Sequence, residues 1–324
     1  MKILFLGSSH NLNPWYSDVI DKAAGRWTIE LFDRGGNVES QFQGVEVVVD
    51  QGGIQGTRTL IDVAAAHGVK LWQVLGTGLD HTDVAYILGK GIPLANTPGP
   101  FSAIALAEHA IFLMLLFAKQ YGASQTSIRN RILLEPMNEE LAGKTLGLLG
   151  FGASGRELAR RAKVLGLRIV AMDVAPIPEA VLEEYGIAMF GGPEQLDAVL
   201  SQSDYLSLHM PLTSKTRHMI SHAALAKMKA NAVLINVARG EIVDEAALLQ
   251  ALNSGRLRGA GIDVFSKEPV DPQHPLLQLP NVIATPHVAG VTFGTSRRRA
   301  AAVVENLERI ANRLPPLYQV TTVE

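Results

Sequence analysis

The sequence predicts an α/β protein with two doubly wound parallel sheets, one in each of two domains. A chain of 324 residues is longer than one hydrophobic core usually supports, so two domains are expected. Short apolar runs alternate with helical patterns twice, first from "KILFL" to "LWQVL" and again from "TLGLLG" to "NVIATPH". This alternation is typical of βαβ units, whose strands run parallel.

Two stretches rich in proline and glycine mark the expected crossings between the domains, at 96–100 and 285–294. The helical pattern over 296–314 needs a core to dock on, and we expect it to return to the first domain. The predicted division is 1–98 for the first segment of one domain, 99–287 for the second domain, and 288–324 for the returning segment.

Composition and charge disfavour several classes of function. A formal net charge of -2 and a pI near 6.5 give no electrostatic reason to expect nucleic acid or an anionic membrane as partner. The longest apolar segment, 103–118, is interrupted by Glu108 and His109 and is shorter than a membrane span, so we expect a buried helix. The chain has no cysteine, and its first residues predict a strand instead of a signal peptide. We therefore expect small-molecule chemistry in the cytoplasm.

The segment "LGLLGFGASGRELARRAKVLGLRIVAMD" carries the first chemical motif. Gly150, Gly152 and Gly155 form G-x-G-x-x-G between a predicted strand and a helix, where backbone N–H groups can bind a dinucleotide pyrophosphate. Asp173 ends the next predicted strand, where its carboxylate would accept hydrogen bonds from ribose hydroxyls. No Lys or Arg follows Asp173 to neutralise a 2′-phosphate, so the sequence predicts NAD in preference to NADP.

The arginine of "VLINVARGEIVDE" stands where a predicted buried strand meets its loop. The ligand crevice of an open α/β sheet lies at the carboxyl ends of its strands, which places Arg239 beside it. The guanidinium fork of arginine fits a carboxylate with two hydrogen bonds. A single arginine at a strand end is more often part of a surface ion pair, so both interpretations remain open on this residue alone.

Two further strand ends provide a candidate acid–base pair. "GAGIDVFSKEP" carries Asp263 and Glu268, and "NVIATPHVAG" carries His287. Hydride transfer between nicotinamide and a hydroxyl carbon also moves a proton, and histidine suits that step at neutral pH. A hydrogen bond from the imidazole N–H to the Glu268 carboxylate would fix the tautomer and favour the protonated ring. A core histidine and an unrelated loop acid are the alternative, because sequence spacing does not show contact.

The order of these motifs along the chain carries a family resemblance. They are "VLGTGLDHTD", "NTPGPFSAIALAEH", the glycine motif, "LHMPLTSKTRHMI", "INVARGEIVDE", "GIDVFSKEP" and "TPHVAG". With these motifs, the chain resembles the D-isomer-specific 2-hydroxyacid dehydrogenases over most of its length. The resemblance implies a flavodoxin-like substrate domain and a Rossmann domain that binds NAD. It also implies a homodimer, built largely by the helical region after the first crossing.

The resemblance also implies roles for individual residues. Arg239 would anchor the substrate carboxylate and keto oxygen, His287 would be the acid and base, and Glu268 its partner. Backbone amides around Thr77 and Gly78 would help to hold the carboxylate. The residues implied to contact the cofactor are Ala153 and Ser154 at the pyrophosphate, Asp263 at the nicotinamide carboxamide, and Pro211, Val237, Ala238 and Gly290 along its length.

The substrate is left open within one class. Related formate dehydrogenases have Gln in place of Glu268, and phosphite dehydrogenases have Lys in place of Thr77, so the sequence favours a hydroxyacid. Hydroxypyruvate, glyoxylate or a substrate of the 3-phosphoglycerate type is expected. A phosphorylated acid becomes plausible if Arg58 or one of the arginines at 297–299 reaches the substrate.

Two other hypotheses are weighed against this one. The same fold could serve a protein that senses NAD without catalysis, as in the corepressors that resemble this family, and turnover would separate the two. His218 and His222 lie four residues apart, but no third ligand accompanies them, so no metal site is expected.

Overall fold

A computed structural model describes residues 1–321 of the chain, and contact density divides it into two compact units. Unit 1 comprises Met1–Ser102 together with the segment from Val291 onward, and unit 2 comprises Ala103–Gly290. The observed crossings therefore follow residues 102 and 290, where the sequence had suggested 98 and 287. Each unit is an α/β domain around a largely parallel sheet, which confirms the predicted fold class.

The secondary structure alternates between strands and helices throughout. The strands are β1 Lys2–Leu6, β2 Thr28–Leu31, β3 Val45–Gln51, β4 Leu71–Leu75, β5 Leu94–Ala95, β6 Thr145–Leu149, β7 Arg168–Met172, β8 Ile187–Gly191, β9 Tyr205–Leu208, β10 Val233–Asn236, β11 Gly259–Ile262, β12 Val282–Ala284 and β13 Gln319–Val320. The α-helices are α1 Trp15–Ala23, α2 Val38–Phe42, α3 Arg58–Ala66, α4 Val84–Gly89, α5 Ala103–Ala118, α6 Tyr121–Arg129, α7 Ala153–Val164, α8 Glu179–Tyr185, α9 Leu196–Gln202, α10 His222–Lys227, α11 Glu245–Asn253 and α12 Phe293–Ala311. Single 3₁₀ turns lie at Gly99–Phe101, Pro193–Gln195, Gly240–Ile242 and Pro275–Gln278.

The sheet of unit 1 has the strand order β13-β5-β4-β3-β1-β2, and only the β13–β5 pair is antiparallel. Its inner strands β1, β3 and β4 are buried on both faces because helices cover both faces. On β1, Ile3 and Phe5 face one side and Leu4 and Leu6 the other, and the two sets belong to separate core clusters. Helix α12 packs beside α1 in the first cluster, so the last helix completes the core of unit 1.

The sheet of unit 2 is fully parallel, with the order β12-β11-β10-β9-β6-β7-β8. Chain order reverses between β6 and β9, and such a reversal creates a crevice at the carboxyl ends of the strands. Helices α5, α7 and α8 cover one face, and α9, α10 and α11 cover the other. The apolar strands and buried helix faces therefore hold the loops at this edge on a rigid base.

Helix α5 is the long apolar helix that the sequence predicted to be buried. Half of its 16 residues are buried, and it packs mainly against α7. Among residues 1–321 no single helix is long and apolar enough to cross a membrane; α5 and α6 together meet that length and composition, but they are bent by 48°.

Candidate active site

The glycine-rich turn after β6 opens the crevice of unit 2. Gly150 has a φ of +98°, and an added Cβ there would lie 2.5 Å from the backbone oxygen of His209. A Cβ on Gly155 would lie 2.2 Å from the Gly150 oxygen. Gly150 and Gly155 therefore let the turn, the β9 end and helix α7 approach closely. Gly152 instead faces open space and, as the residue before α7, provides no side-chain cap.

The open side of Gly152 fits a pyrophosphate. The first N–H groups of a helix lack intrahelical acceptors, and α7 is 12 residues long, so its uncapped start can bind an anion. Asp173 follows β7 and joins the same turn, because its Oδ2 accepts from the Phe151 N–H at 2.6 Å and its Oδ1 from Ala175 at 3.0 Å. The glycine turn and the carboxylate expected at the ribose are thus held together.

His209 lies at the end of β9 behind the start of α7, and sequence reasoning gave it no role. Its Nδ1 lies 3.0 Å from the Ser154 hydroxyl and its Nε2 lies 2.9 Å from the Ser207 hydroxyl. Burial lowers the pKa of His209 to about 4, so the ring is neutral at pH 7. The signal in the sequence was its place at the strand end in "LHMPLTSKTRHMI". Ser154 was expected to face the pyrophosphate, and its hydroxyl contacts His209.

Arg239 follows β10 in a turn held by the buried Asn236. The Asn236 amide donates to the Arg239 carbonyl at 2.9 Å and its Oδ1 accepts from the Ala238 N–H at 3.1 Å. Gly240 has no room for a side chain, since a Cβ there would lie 1.9 Å from the Phe265 carbonyl carbon. The Asn inside the apolar run and the Gly after the arginine therefore fix the Arg239 turn against the loop that follows β11.

That loop carries Glu268, which contacts His287 directly. The Glu268 Oε2 lies 2.7 Å from His287 Nδ1, and its Oε1 accepts from the Phe265 N–H at 2.8 Å. Burial alone would raise the pKa of Glu268, but these hydrogen bonds and the charges of His287 and Arg239 outweigh it and lower the pKa. Glu268 is therefore an anion at neutral pH, and the structure brings together all three residues of the predicted catalytic set.

The backbone of His287 is held in an uncommon conformation. Its φ is +55°, in the left-handed region that non-glycine residues rarely occupy. Its N–H donates to the Asp263 carbonyl at 2.7 Å. The side chain is 47% exposed, and its Nε2 has no hydrogen-bond partner among residues 1–321. His287 therefore presents Nε2 outward while Glu268 holds the other ring nitrogen.

Asp263 is the buried anchor of the loop that carries His287. Its Oδ1 accepts from the Thr285 hydroxyl at 2.6 Å and the Val288 N–H at 2.9 Å, and its Oδ2 accepts from the Ala289 N–H at 2.9 Å. His109 on α5 contacts Thr285 at 3.0 Å, and burial lowers its pKa even though the Asp263 charge acts the other way. The hydrogen bonds of Asp263 therefore hold residues 285–289 in place. Gly290 follows this segment and is the last residue of unit 2.

The remaining predicted residues of unit 2 lie along the same edge of the sheet. Val237 and Ala238 are buried in the turn after β10, and Pro211 lies in the loop after β9, where its carbonyl accepts from the Thr216 hydroxyl at 2.8 Å. Ala153 is the first residue of α7. No group of three or more His, Cys, Asp or Glu side chains among residues 1–321 is arranged to hold a metal ion.

Thr77 and Gly78 lie in unit 1, in the loop after β4, and both are partly exposed. The Thr77 hydroxyl donates to the Thr97 carbonyl at 3.0 Å, and the Asn96 amide donates to the Thr77 carbonyl at 2.8 Å. A guanidinium N–H of Arg299 donates to the same hydroxyl at 3.0 Å. Side chains from two other segments therefore fix the conformation of this loop.

Comparison with known proteins identifies the family. Residues 111–289 match the model of the D-isomer specific 2-hydroxyacid dehydrogenase NAD binding domain. The chain belongs to this family. Unit 2 accordingly contains the NAD-binding domain, and the glycine turn, the uncapped start of α7 and Asp173 fit that cofactor.

Members of the family with several different named activities are similar to the chain. It is 38% identical over 267 residues to a hydroxypyruvate reductase of Thermotoga maritima, covering 81% of this chain and 84% of that one. It is 35% identical over 295 residues to a D-3-phosphoglycerate dehydrogenase of Methanocaldococcus jannaschii, covering 90% of this chain and 53% of the relative. A crystal structure of a glyoxylate reductase from Paecilomyes thermophila superposes with a TM-score of 0.81 at 31% identity, covering 99% of this chain and 98% of that one.

These similarities establish the reaction class. The protein is an NAD-dependent oxidoreductase that acts on the CH–OH group of D-2-hydroxy acids or reduces the corresponding 2-keto acids. The names of the relatives differ in substrate, so membership of the family leaves the particular acid open.

Proposed function

We propose that this dehydrogenase reduces the keto group of a small 2-keto acid, with His287 as the proton donor. The observation that carries the proposal is the 2.7 Å contact between Glu268 and His287 Nδ1, combined with a partly exposed ring. A general acid must have one face free for the substrate and a second group that fixes its tautomer. NADH, when bound, supplies the hydride.

The pair moves the proton in a defined direction. During reduction, His287 Nε2–H donates its proton to the keto oxygen, which becomes the hydroxyl oxygen on C2. The ring is then neutral, and its Nδ1–H remains hydrogen-bonded to Glu268. In the oxidative direction, the same Nε2 accepts the hydroxyl proton. The Glu268 carboxylate accepts the Nδ1–H hydrogen bond and so leaves Nε2 to exchange the proton with the substrate.

Arg239 is proposed to bind the substrate carboxylate and polarise the keto oxygen. Its turn is fixed by Asn236, and its charge acts on Glu268, so the guanidinium lies near enough to His287 to share a small substrate. A bidentate arginine would align C2 for hydride transfer and stabilise negative charge that develops on the oxygen.

Unit 1 is proposed to act as the substrate domain, with the amides of Thr77 and Gly78 as further contacts for the carboxylate. The loop is partly exposed and is fixed by Asn96 and Arg299, which suits a preorganised anion contact. Hydroxypyruvate, glyoxylate and the 3-phosphoglycerate type are the substrate candidates, and relatives are named for each.

The test is NADH oxidation by purified protein against glyoxylate, hydroxypyruvate, its phosphate ester, pyruvate and branched 2-keto acids. His287→Ala should lower kcat by about 10²-fold or more, the usual contribution of a general acid, while NADH binding measured by fluorescence stays unchanged. His274→Ala is the matched control, because His274 also contacts a glutamate, Glu245, at 3.3 Å but lies in another loop.

Two results would contradict the proposal. Turnover by His287→Ala at the wild-type rate would remove His287 from the mechanism. Tight NADH binding without turnover on any 2-keto acid would favour a protein that senses the cofactor.

We also propose that the chain forms a homodimer through the region after α5. Several apolar side chains there are largely exposed, with exposed fractions of 70% for Ile128, 83% for Leu133, 89% for Leu134 and 87% for Met137. Clustered exposed apolar residues of this kind mark protein interfaces. A cytoplasmic location remains a prediction.

A further inference from the structure

Arg299 is a cation of unit 1 whose side chain is largely buried. Among residues 1–321 it forms no ion pair, and its Nε is enclosed without a hydrogen-bond acceptor. Within the same range its guanidinium makes one hydrogen bond, to the Thr77 hydroxyl, and lies 5.6 Å from the centre of the Trp15 ring. Burial, and then the charge of Arg298, lowers the pKa of Arg299 to about 10, so it still carries its charge at pH 7.

The other arginines that the sequence suggested for a substrate anion have different environments. Arg58 pairs with Asp83 at 2.8 Å and its side chain is 70% exposed. Arg298 donates its Nε–H to the Phe101 carbonyl at 2.9 Å, and Arg297 is exposed. Arg299 alone combines burial, unused donors and contact with a loop that is proposed to bind substrate.

A buried charge without a counter-ion is costly, and replacing such a group with an apolar residue of similar size is often neutral or stabilising. The contacts of Arg299 with the Thr77 hydroxyl and the Trp15 ring supply no counter-charge. An anionic ligand that enters beside Thr77 would use the free donors of the fork and provide the missing counter-charge.

We propose that Arg299, together with the Thr77 loop, binds a second anionic group of the substrate, so the preferred substrates are 2-keto acids with an additional carboxylate or phosphate. This inference rests on the proposed function, in which Arg239 binds the carboxylate next to the keto group. Within that function, Arg299 selects substrates that carry a second anionic group. Its charge discriminates against 2-keto acids with a neutral tail, because they leave the guanidinium unpaired.

The experiment compares substrates in pairs that differ by one anionic group. Oxaloacetate is compared with 2-oxobutanoate, which has the same number of carbons, and the phosphate ester of hydroxypyruvate with hydroxypyruvate. The pair that shows the larger ratio of kcat/KM identifies carboxylate or phosphate as the second group. We expect a ratio of about tenfold or more for the wild type, the usual scale of one charge-assisted contact.

Three variants assign that ratio to Arg299. Arg299→Met should reduce the ratio of kcat/KM within a pair toward one, chiefly by raising KM for the substrate with the second anionic group. Arg299→Lys should retain part of this ratio because the charge remains. Arg297→Met is the matched control, since it removes the same charge from an exposed position on the same helix, and it should keep the wild-type ratio. Thermal unfolding without ligand adds an independent readout: Arg299→Met should melt no lower than the wild type.

The outcomes separate the two proposals. The inference is wrong if the wild type shows equal kcat/KM for the two substrates of each pair. It is also wrong if Arg299→Met lowers kcat/KM for both substrates of a pair by the same factor. In either case the proposed function stands. If no 2-keto acid is reduced, the proposed function is wrong. Arg299 can then be tested by the melting shift from D-malate or D-3-phosphoglycerate against that from D-2-hydroxybutanoate or D-glycerate. Equal shifts within both pairs in the wild type would exclude an anion site.

Discussion

At the scale of single residues, the pairing of Glu268 with His287 fixes which ring nitrogen is left for the substrate. The carboxylate accepts one hydrogen bond from the imidazole and one from the Phe265 N–H, and these contacts keep its pKa low despite burial. It is therefore charged at neutral pH. A glutamine would keep the shape and the contact with the ring but would remove the charge.

Glu268→Gln tests that point. The carboxylate makes a charge-assisted hydrogen bond with the His287 ring, and a neutral amide would orient the ring less firmly. We expect kcat/KM for 2-keto acid reduction to fall by about tenfold or more, chiefly through kcat. Glu241→Gln serves as control, since Glu241 pairs with Arg217 in another loop. An unchanged kcat/KM in Glu268→Gln would mean that the charge of Glu268 has no part in the proton step.

At the scale of secondary-structure elements, the turn between β6 and α7 uses its glycines for two different purposes. Gly150 needs its positive φ and the close approach of the β9 end, whereas Gly152 has an ordinary φ of -77° and open space in front of it. The fold therefore requires glycine at position 150. Glycine at position 152 instead leaves room for the cofactor.

Two alanine substitutions should therefore have opposite effects. Gly150→Ala should lower the free energy of unfolding by about 1–3 kcal/mol or more, because the left-handed conformation and the backbone clash act together. Gly152→Ala should change it by less than about 1 kcal/mol but weaken NADH binding by about tenfold or more, since the methyl group occupies the pyrophosphate position. Chemical denaturation and fluorescence titration measure the two quantities. A normal NADH affinity in Gly152→Ala would place the pyrophosphate elsewhere.

The end of β9, which packs against the start of α7, contains a group that couples stability to pH. His209 is held neutral between two serine hydroxyls, with a pKa lowered from 6.5 to about 4. Between these values the unfolded chain binds a proton that the folded chain does not, so stability should fall as the pH drops from 6.5 to about 4. The effect of this residue is at most about 3 kcal/mol, and it is constant below that range.

His209→Gln isolates this contribution. Glutamine does not titrate, and it retains one of the two serine contacts, so the variant should be less stable than the wild type at pH 7 but less sensitive to pH between 4 and 6.5. Urea denaturation at several pH values measures the slope. His222→Gln, on the surface at the start of α10, should keep the wild-type slope. An unchanged slope in His209→Gln would show that His209 is protonated alike in both states.

At the scale of the whole molecule, the exposed apolar side chains beyond α6 support the proposed homodimer. Leu133 and Leu134 together should contribute more to association than any charged contact, because their burial removes apolar surface from water. An isolated chain would leave this patch in water, which favours association of two identical surfaces about a twofold axis.

Leu133→Glu combined with Leu134→Glu should convert the protein to a monomer at micromolar concentration. Light scattering after size-exclusion chromatography measures the mass, for which one chain is 34.8 kDa. Val164→Glu provides the control, since Val164 is 85% exposed at the end of α7 and is not part of the patch. A wild-type protein that elutes as a monomer would contradict the dimer directly.

The sequence by itself determined the fold class, the cofactor motif and the family, because each is written in local patterns. Alternating apolar runs give βαβ units, and three glycines with an acid at the next strand end give the dinucleotide turn. It also named Arg239, Glu268 and His287 at three strand ends. The contact between Glu268 and His287 could not be read from spacing, because 19 residues separate them along the chain.

Only the tertiary structure decided which partners the polar side chains contact. Asp263 was expected at the cofactor, and the fold shows it anchoring the loop of His287 through three hydrogen bonds. His209 was overlooked, since its partners Ser154 and Ser207 meet it only when β9 lies beside α7. Arg299 was one of three consecutive arginines with identical local signals. Its burial against Trp15 and Thr77 distinguishes it, and burial depends on packing between segments more than 200 residues apart.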